Sequence, residues 1–455
     1  MKKIIIRILL FIVAIAVILG VFWLWPRLPI LTSISAKLMC SSLFMADRSP
    51  EEVHAQSFFP VTLAKTKVNY EDQSVTASLL GLARRKAVYR EGLGATPVAD
   101  ADEDSIRAQA VTDIPRLQSD PDTIDWPLGN RYRDTLFPEI NYPLLDTVIN
   151  RVFDPEGAEP SLKTLAVMVI YKNLPVRERY AGDITPDTKL IGWSMSKSIT
   201  NAMVGILVGQ GKLVLDAPAP VPEWTGDERK EITLNHLMHQ VSGLEWVEAY
   251  FDLSDVTRML YMKGDMYKYA IERPAASKPG EVWHYSSGNT NIISGIIRHC
   301  FNDIHEYHLF PNTCLFNRLG MRNTLLEADA AGTFTGSSYC FASVHDWARF
   351  GLLFLNKGVF AGDTILPPGW VDYSIQPAEG SNGDYGAQIW LNRGGKLPDC
   401  PGDIFYFRGF MGQLVYIIPS RNMIIIRLGY GEKMMDYNRF VSDILSAFNI
   451  HNNES

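Results

Sequence analysis

SMSKSITNAMVGILVGQG, residues 194–211, carries the decisive pattern of this chain. Ile199, Ala202, Met203, Ile206 and Leu207 recur at three- and four-residue spacing, the signature of a helix with a buried face. Gly209 and Gly211 close it. At its start Ser194 and Lys197 stand three residues apart, so they share one side of the helix, one turn from each other. A serine hydroxyl is a poor nucleophile until a base removes its proton. A serine at a helix N-terminus also sets its backbone N–H among the helix's unpaired donors, where a developing oxyanion is stabilised.

The flanking segments supply a sheet. Residues 165–171 (LAVMVIY) are a short apolar run bounded by Asn173 and Pro175, which predicts a buried strand, and residues 177–180 can return as its hairpin partner. Residues 413–419 and 423–428 predict two further strands joined by Ser420-Arg421-Asn422, and residues 436–448 an amphipathic final helix. The stretch 230–360 is mostly helical with polar loops. Strands at both ends around a helical middle predict an α+β fold: an antiparallel sheet assembled from distant segments, flanked by helices, with a helical insert.

Two more motifs bear on the serine. Trp283-His284-Tyr285-Ser286-Ser287-Gly288-Asn289 follows the turn former Pro279-Gly280. A tyrosine there serves as general base when a neighbouring cationic lysine lowers its pKa from about 10 toward neutrality. Further on, Gly409-Phe410-Met411-Gly412-Gln413 leads into the C-terminal hairpin. Glycines at a strand edge admit a substrate backbone, and the Gln413 N–H would complete an oxyanion pair with that of Ser194.

Taken in order, Ser-x-x-Lys, a Tyr motif and a Gly-containing strand motif resemble the serine β-lactamase and DD-peptidase superfamily, within it the class C β-lactamase-like branch that includes esterases and 6-aminohexanoate-dimer hydrolases. The supporting runs are GKLVLDAP (211–218), ITLNHLMHQVSGLEW (232–246), PGEVWHYSSGNTN (279–291), ASVHDWARFGLLFLNKG (342–358) and GQLVYIIPSRNMIIIRLG (412–429), collinear over residues 160–450. SAKLMCSSLF (35–44) is similar to a segment of the longer dimer-hydrolase-like members. The resemblance implies a β-lactamase/transpeptidase-like fold and a serine hydrolase acting through an acyl-enzyme on an amide, ester or small peptide substrate. Its catalytic residues would be Ser194, Lys197 and Tyr285, with no metal or organic cofactor.

The chain departs from that pattern twice. Tyr-x-Asn becomes YSSGN, as if two residues were inserted, so either Ser287 or Asn289 takes the Asn role. The Lys-Thr-Gly or His-x-Gly motif becomes Phe410-Met411-Gly412, which lacks the cation that helps hold a β-lactam's carboxylate. That favours an ester, amide or small peptide over an antibiotic. Arg408 could compensate, although a surface or ion-pair arginine is the plainer reading. A DD-peptidase acting on cell-wall peptides and a membrane-tethered binding protein that has lost turnover are the rival functions. Intact Ser194, Lys197 and Tyr285 count against the second.

Composition sets outer bounds. The chain has 455 residues, 47% of them hydrophobic, and a net charge of -7, which speaks against nucleic acid as a partner. Lys2, Lys3 and Arg7 precede an unbroken apolar run over residues 8–25, closed by Pro26 and Arg27. At about 1.5 Å per residue it covers about 27 Å, close to a bilayer core. Its bulky exit through Phe22, Trp23 and Trp25 suits a membrane interface and favours an uncleaved anchor over a removed signal peptide. The basic cluster predicts a single-pass inner-membrane protein with its body outside the cytoplasm, periplasmic in a Gram-negative cell.

The expected organisation is therefore a stub and anchor over 1–29, an arm and linker over 30–139, and a hydrolase domain over 140–455. Five cysteines without a CxxC read as free buried thiols. His236 and His239 lack a third metal ligand, and His305 and His308 have the wrong spacing for a zincin.

Overall fold

The computed structural model describes residues 22–449 apart from 57–60, 133–134, 156–160, 251 and 432–434, together with residues 11 and 20. Most of the expected anchor, residues 8–25, lies outside the described residues; among those described, no helix is long and apolar enough to cross a membrane.

The chain enters through helix α1 (Leu28–Phe44), with Pro29 in its first turn, where a missing N–H costs nothing. This helix lies on an antiparallel four-stranded sheet, β1 (Lys65–Asn69), β2 (Ser74–Leu79), β3 (Leu82–Arg90) and β4 (Gly94–Pro97), ordered as in the sequence. Small side chains let helix and sheet approach closely. Ala36, Met39 and Cys40 pack on Val75, Ala77, Ala87 and Ala95, a core separate from the rest. Half of the region expected as an arm is thus a folded unit.

Helix α2 (Tyr142–Arg151) then leads into the main sheet. Strand β5 (Thr164–Tyr171) is buried along its whole length and pairs with β6 (Leu174–Tyr180). The chain leaves for helix α3 (Ser196–Gly209), helix α4 (Ser287–His299) and helix α5 (Val344–Leu355), then returns as β7 (Trp390–Leu391), β8 (Phe405–Gly409), β9 (Gln413–Ile418) and β10 (Met423–Gly429), followed by helix α6 (Tyr437–Ser446). The six strands run in the order β7-β8-β9-β10-β5-β6, every neighbour antiparallel, and β10 joins the two halves by pairing Ile424 with Ile170 and Ile426 with Met168. One face of the sheet packs under α3, α4 and α5. The other is covered by α2 and α6 through Leu145, Val148, Phe440 and Ile444. This is the predicted α+β architecture.

One interaction ties the N-terminal unit to the main body. Lys37 of α1 and Glu327 are both fully buried and form an ion pair. Glu327 also accepts from Ser41 Oγ (2.9 Å) and the Ala95 N–H (2.8 Å), while Lys37 Nζ lies 3.9 Å from the Tyr339 ring centroid. Burial pushes the Lys37 ammonium below its ordinary pKa and the Glu327 charge opposes that. All five cysteines are free, Cys40 and Cys340 buried and the others half-buried.

Removing one partner of a dry ion pair strands the other charge, at a cost of about 3–5 kcal/mol. Lys37→Met should lower unfolding stability by that order in urea titration. Arg318→Met, which breaks the exposed pair with Asp363, should cost under about 1 kcal/mol.

Candidate active site

Ser194, the expected nucleophile, stands on a clamped turn. A short 3₁₀ turn, Trp193–Met195, precedes α3, and Trp193 adopts φ 48°, a left-handed conformation costly for a bulky residue. Surrounding hydrogen bonds hold it there. The Gly192 N–H donates to Cys340 O (2.7 Å), Ser196 Oγ donates to Trp193 O (2.6 Å), and the Cys340 N–H donates to Ser196 Oγ (2.8 Å). Gly192 is required, since a Cβ there would lie 2.5 Å from the Trp347 ring. Ser194 is left half-exposed at the end of α3, above a buried Lys197.

Lys197 Nζ has three acceptors: Ser194 Oγ at 3.3 Å, Ser287 Oγ at 3.1 Å and Ser337 O at 3.0 Å. Its pKa is pulled down to about 8, chiefly by burial, with Glu248 acting in the opposite sense. Tyr285 closes the group: Ser194 acts on its phenol, and Lys197 Nζ lies 4.8 Å from its ring centroid. The tyrosine is not the depressed acid that the sequence suggested. Burial first, then the Glu248 carboxylate, push its pKa above the ordinary value, and Ser194 and Arg408 oppose this only in part. Lys197 is therefore the member of the group poised near neutrality.

In the second motif the structure brings one of the two candidates, Ser287, to the lysine. Ser287, two residues after Tyr285, occupies the Asn place of Tyr-x-Asn and touches Lys197. Asn289 is turned inward instead, its Nδ2 donating to Gln240 Oε1 (3.0 Å) and its Oδ1 accepting from Ser242 Oγ (2.8 Å). Two turns of chain are fixed by it, and no reacting group is reached.

The third motif is also displaced. Gly409 ends β8 and pairs with Gln413 at the start of β9, so Phe410-Met411-Gly412 is the tip of a hairpin, with Met411 at φ 61°. Gly409 meets the nucleophile turn: a Cβ there would lie 2.0 Å from Gly192 O. Gly412 faces the other way, where a Cβ would meet Tyr437 Oη at 2.3 Å and Arg427 Nη1 at 2.7 Å. Gln413 belongs to the strand behind β8, and its side chain bonds both backbone groups of Gly429. The side chains of Gly429's partner Gln413 and of the residues behind Gly412 thus shape the tip. Buried Arg427 holds the tip from behind, donating to Met411 O and Gly412 O at 3.0 Å each.

Phe410 forms a wall beside the serine, edge-on to Trp193 (centroids 5.8 Å apart) and stacked on Tyr250 (5.6 Å). Arg408 has no carboxylate partner among the described residues. Its guanidinium lies 5.6 Å from the Trp390 ring centroid, and that ring is 5.3 Å from Tyr285.

Glu248 is the site residue that motif reading missed. It accepts from the Ser287 N–H (2.9 Å), Ser287 Oγ (2.5 Å), Trp246 Nε1 (2.5 Å) and Tyr250 Oη (2.6 Å). Serine at position 287 therefore relays a carboxylate to Lys197. Of the histidines weighed as metal ligands, His236 completes a helix cap with Thr233, and His239 packs on Tyr373.

The Glu248 charge raises the Lys197 pKa. Glu248→Gln should therefore move the pH midpoint of any Lys197-dependent reaction downward from about 8, read from rates of serine labelling against pH.

Comparison with known proteins agrees with this geometry. Residues 149–438 match the Beta-lactamase family. The chain is 24% identical over 324 residues to the 6-aminohexanoate-dimer hydrolase of Paenarthrobacter ureafaciens, covering 65% of this chain and 80% of that one. Among solved structures, a Bacillus anthracis protein provisionally named a 6-aminohexanoate-dimer hydrolase superposes with a TM-score of 0.57 at 20% identity, over 73% of this chain and 88% of its own. EstCE1, a hydrolase with promiscuous acyltransferase activity, gives 0.53 at 14% identity, over 68% and 98%. The chain belongs to the beta-lactamase family of serine hydrolases, on its class C-like side.

Proposed function

We propose that the protein hydrolyses an uncharged ester or amide through an acyl-enzyme on Ser194, and that residues 8–25 hold it in a membrane with the body outside the cytoplasm. The observation that carries the chemical reading is the contact of Lys197 Nζ with Ser194 Oγ beneath a half-exposed hydroxyl.

In the first step, the neutral fraction of Lys197 accepts the Ser194 proton as Oγ attacks the substrate carbonyl. The N–H groups of Ser194 and of Phe410, at the end of β8 against the nucleophile turn, receive the oxyanion. Tyr285, kept as a neutral phenol, gives its hydroxyl proton to the departing alcohol or amine and is re-protonated from Lys197. Water then attacks the acyl-enzyme with Lys197 again as base, and Ser194 regains its proton. Ser287 and Glu248 hold Lys197 in line during both steps. Phe410, Tyr250 and Trp193 favour an apolar acyl group, as does the lack of a cation at position 410.

A fluorophosphonate probe should label Ser194, at a rate that climbs as pH rises through about 8 while Lys197 loses its proton. Ser194→Ala should abolish labelling, and Lys197→Met should slow it by at least a hundredfold, with the fold intact by circular dichroism. Labelling at another serine in Ser194→Ala would overturn the assignment. Short-chain p-nitrophenyl esters should be turned over and cephalosporins slowly or not at all. Preference for peptides ending in D-alanyl-D-alanine would instead identify a DD-peptidase.

A further inference from the structure

One end of the N-terminal sheet carries an exposed apolar and basic patch that the hydrolase reading does not use. The β2–β3 hairpin turns through Leu80-Gly81, between paired Leu79 and Leu82. Leu80 is 93% exposed and Leu82 50%. Strand β1 begins at the same end, because Lys65 pairs with Ser78, and Leu63 just before it is 52% exposed. Lys65, Lys67 and Arg84 are exposed there, with Arg85 half-buried, and none of the four has a carboxylate partner among the described residues. In a chain of net charge -7, four unpaired cations around three exposed leucines are a local reversal of sign.

The position of this patch relative to the chain's entry is fixed by hydrogen bonds. Thr32, in the first turns of α1, donates from Oγ1 to Ala83 O at 2.6 Å, so the hairpin tip sits beside the beginning of α1. A few residues earlier Phe22, Trp23 and Trp25 are exposed aromatics, of the kind that settle at a lipid headgroup layer. Arg27 locks this entry point to the body by donating to Asp252 Oδ1 at 2.6 and 2.9 Å.

The geometry points to a lipid surface as the partner of this patch: the 80–82 tip and Leu63 enter the headgroup layer, and Lys65, Lys67, Arg84 and Arg85 face anionic phosphates. Hydrophobic insertion and cationic attraction act together in such surface contacts, and basic side chains at an anionic leaflet add to them. The contact would fix the tilt of the whole body on the bilayer, where the anchor alone leaves it free to swing. The inference rests on the anchor part of the proposed function and is independent of the catalytic part.

The test uses the full chain in nanodiscs of phosphatidylcholine and phosphatidylglycerol, with Cys300, Cys314 and Cys400 changed to Ser. An environment-sensitive NBD fluorophore is placed on Leu80→Cys or, as a control outside the patch, on Val359→Cys. At position 80 emission should shift to the blue and be quenched at least twofold by lipids nitroxide-labelled near the headgroup, with neither effect at position 359. Arg84→Glu with Arg85→Glu should at least halve the quenching. Water-like emission at position 80 would overturn the proposal, and so would a blue shift without lipid quenching, which would mean that a second copy covers the tip. A chain that does not co-purify with the discs would refute the anchor itself. Fluorophosphonate labelling of Ser194 in the same sample reports the hydrolase reading separately.

Discussion

The burial of one ammonium group organises the active centre. Lys197 sits in the core with three oxygen acceptors and, among the described residues, no carboxylate in direct contact. Its desolvation brings its proton affinity down into the range where it can be given up and retaken. An exposed lysine at the same place would stay charged near pH 10 and could not act as a base at neutrality. The clamped turn at Trp193, the serine at position 287 and the carbonyl of Ser337 are all arranged around this nitrogen.

Glu248 shows how finely that placement is balanced. A carboxylate in direct contact would return Lys197 to a permanent cation. A site with no negative charge nearby would leave Lys197 neutral and Ser287 unoriented. The relay through Ser287 Oγ keeps the carboxylate one hydrogen bond away. Part of its charge goes to Trp246 and Tyr250, and Tyr250 in turn stacks on Phe410. Electrostatics and the apolar wall are thus coupled through one side chain.

The central strands, the nucleophile helix and the final helix were legible in the sequence because each is one continuous pattern: an apolar run at β5, one broken only by Arg427 at β10, and clean helical spacing at 199–207. Ser194, Lys197 and Tyr285 were legible because their spacing carries chemistry. The tip was harder to read, because pattern locates a strand only to within a few residues: Phe410-Met411-Gly412 is a hairpin tip, and the backbone that meets the Ser194 turn most closely is Gly409, against Gly192 O. Glu248 left no signal, lying in an irregular loop whose approach to Ser287 is purely tertiary. The N-terminal sheet was hidden for another reason. Its packed face is built from alanines at 77, 87 and 95 amid charged residues, so neither hydrophobicity nor alternation stood out.

The ion pair between α1 and the main body also bears on how the enzyme can be handled. Tyr339 lies against both Lys37 and Trp193, so a single aromatic ring separates the N-terminal helix from the nucleophile turn. A shortened protein beginning at residue 149, where the family match starts, would bury Glu327 without its counter-charge and strip the packing from behind Tyr339. Beginning at Leu28 would retain both. A cut just after Arg27 therefore keeps the buried pair and its packing, well upstream of residue 149, where the family match begins.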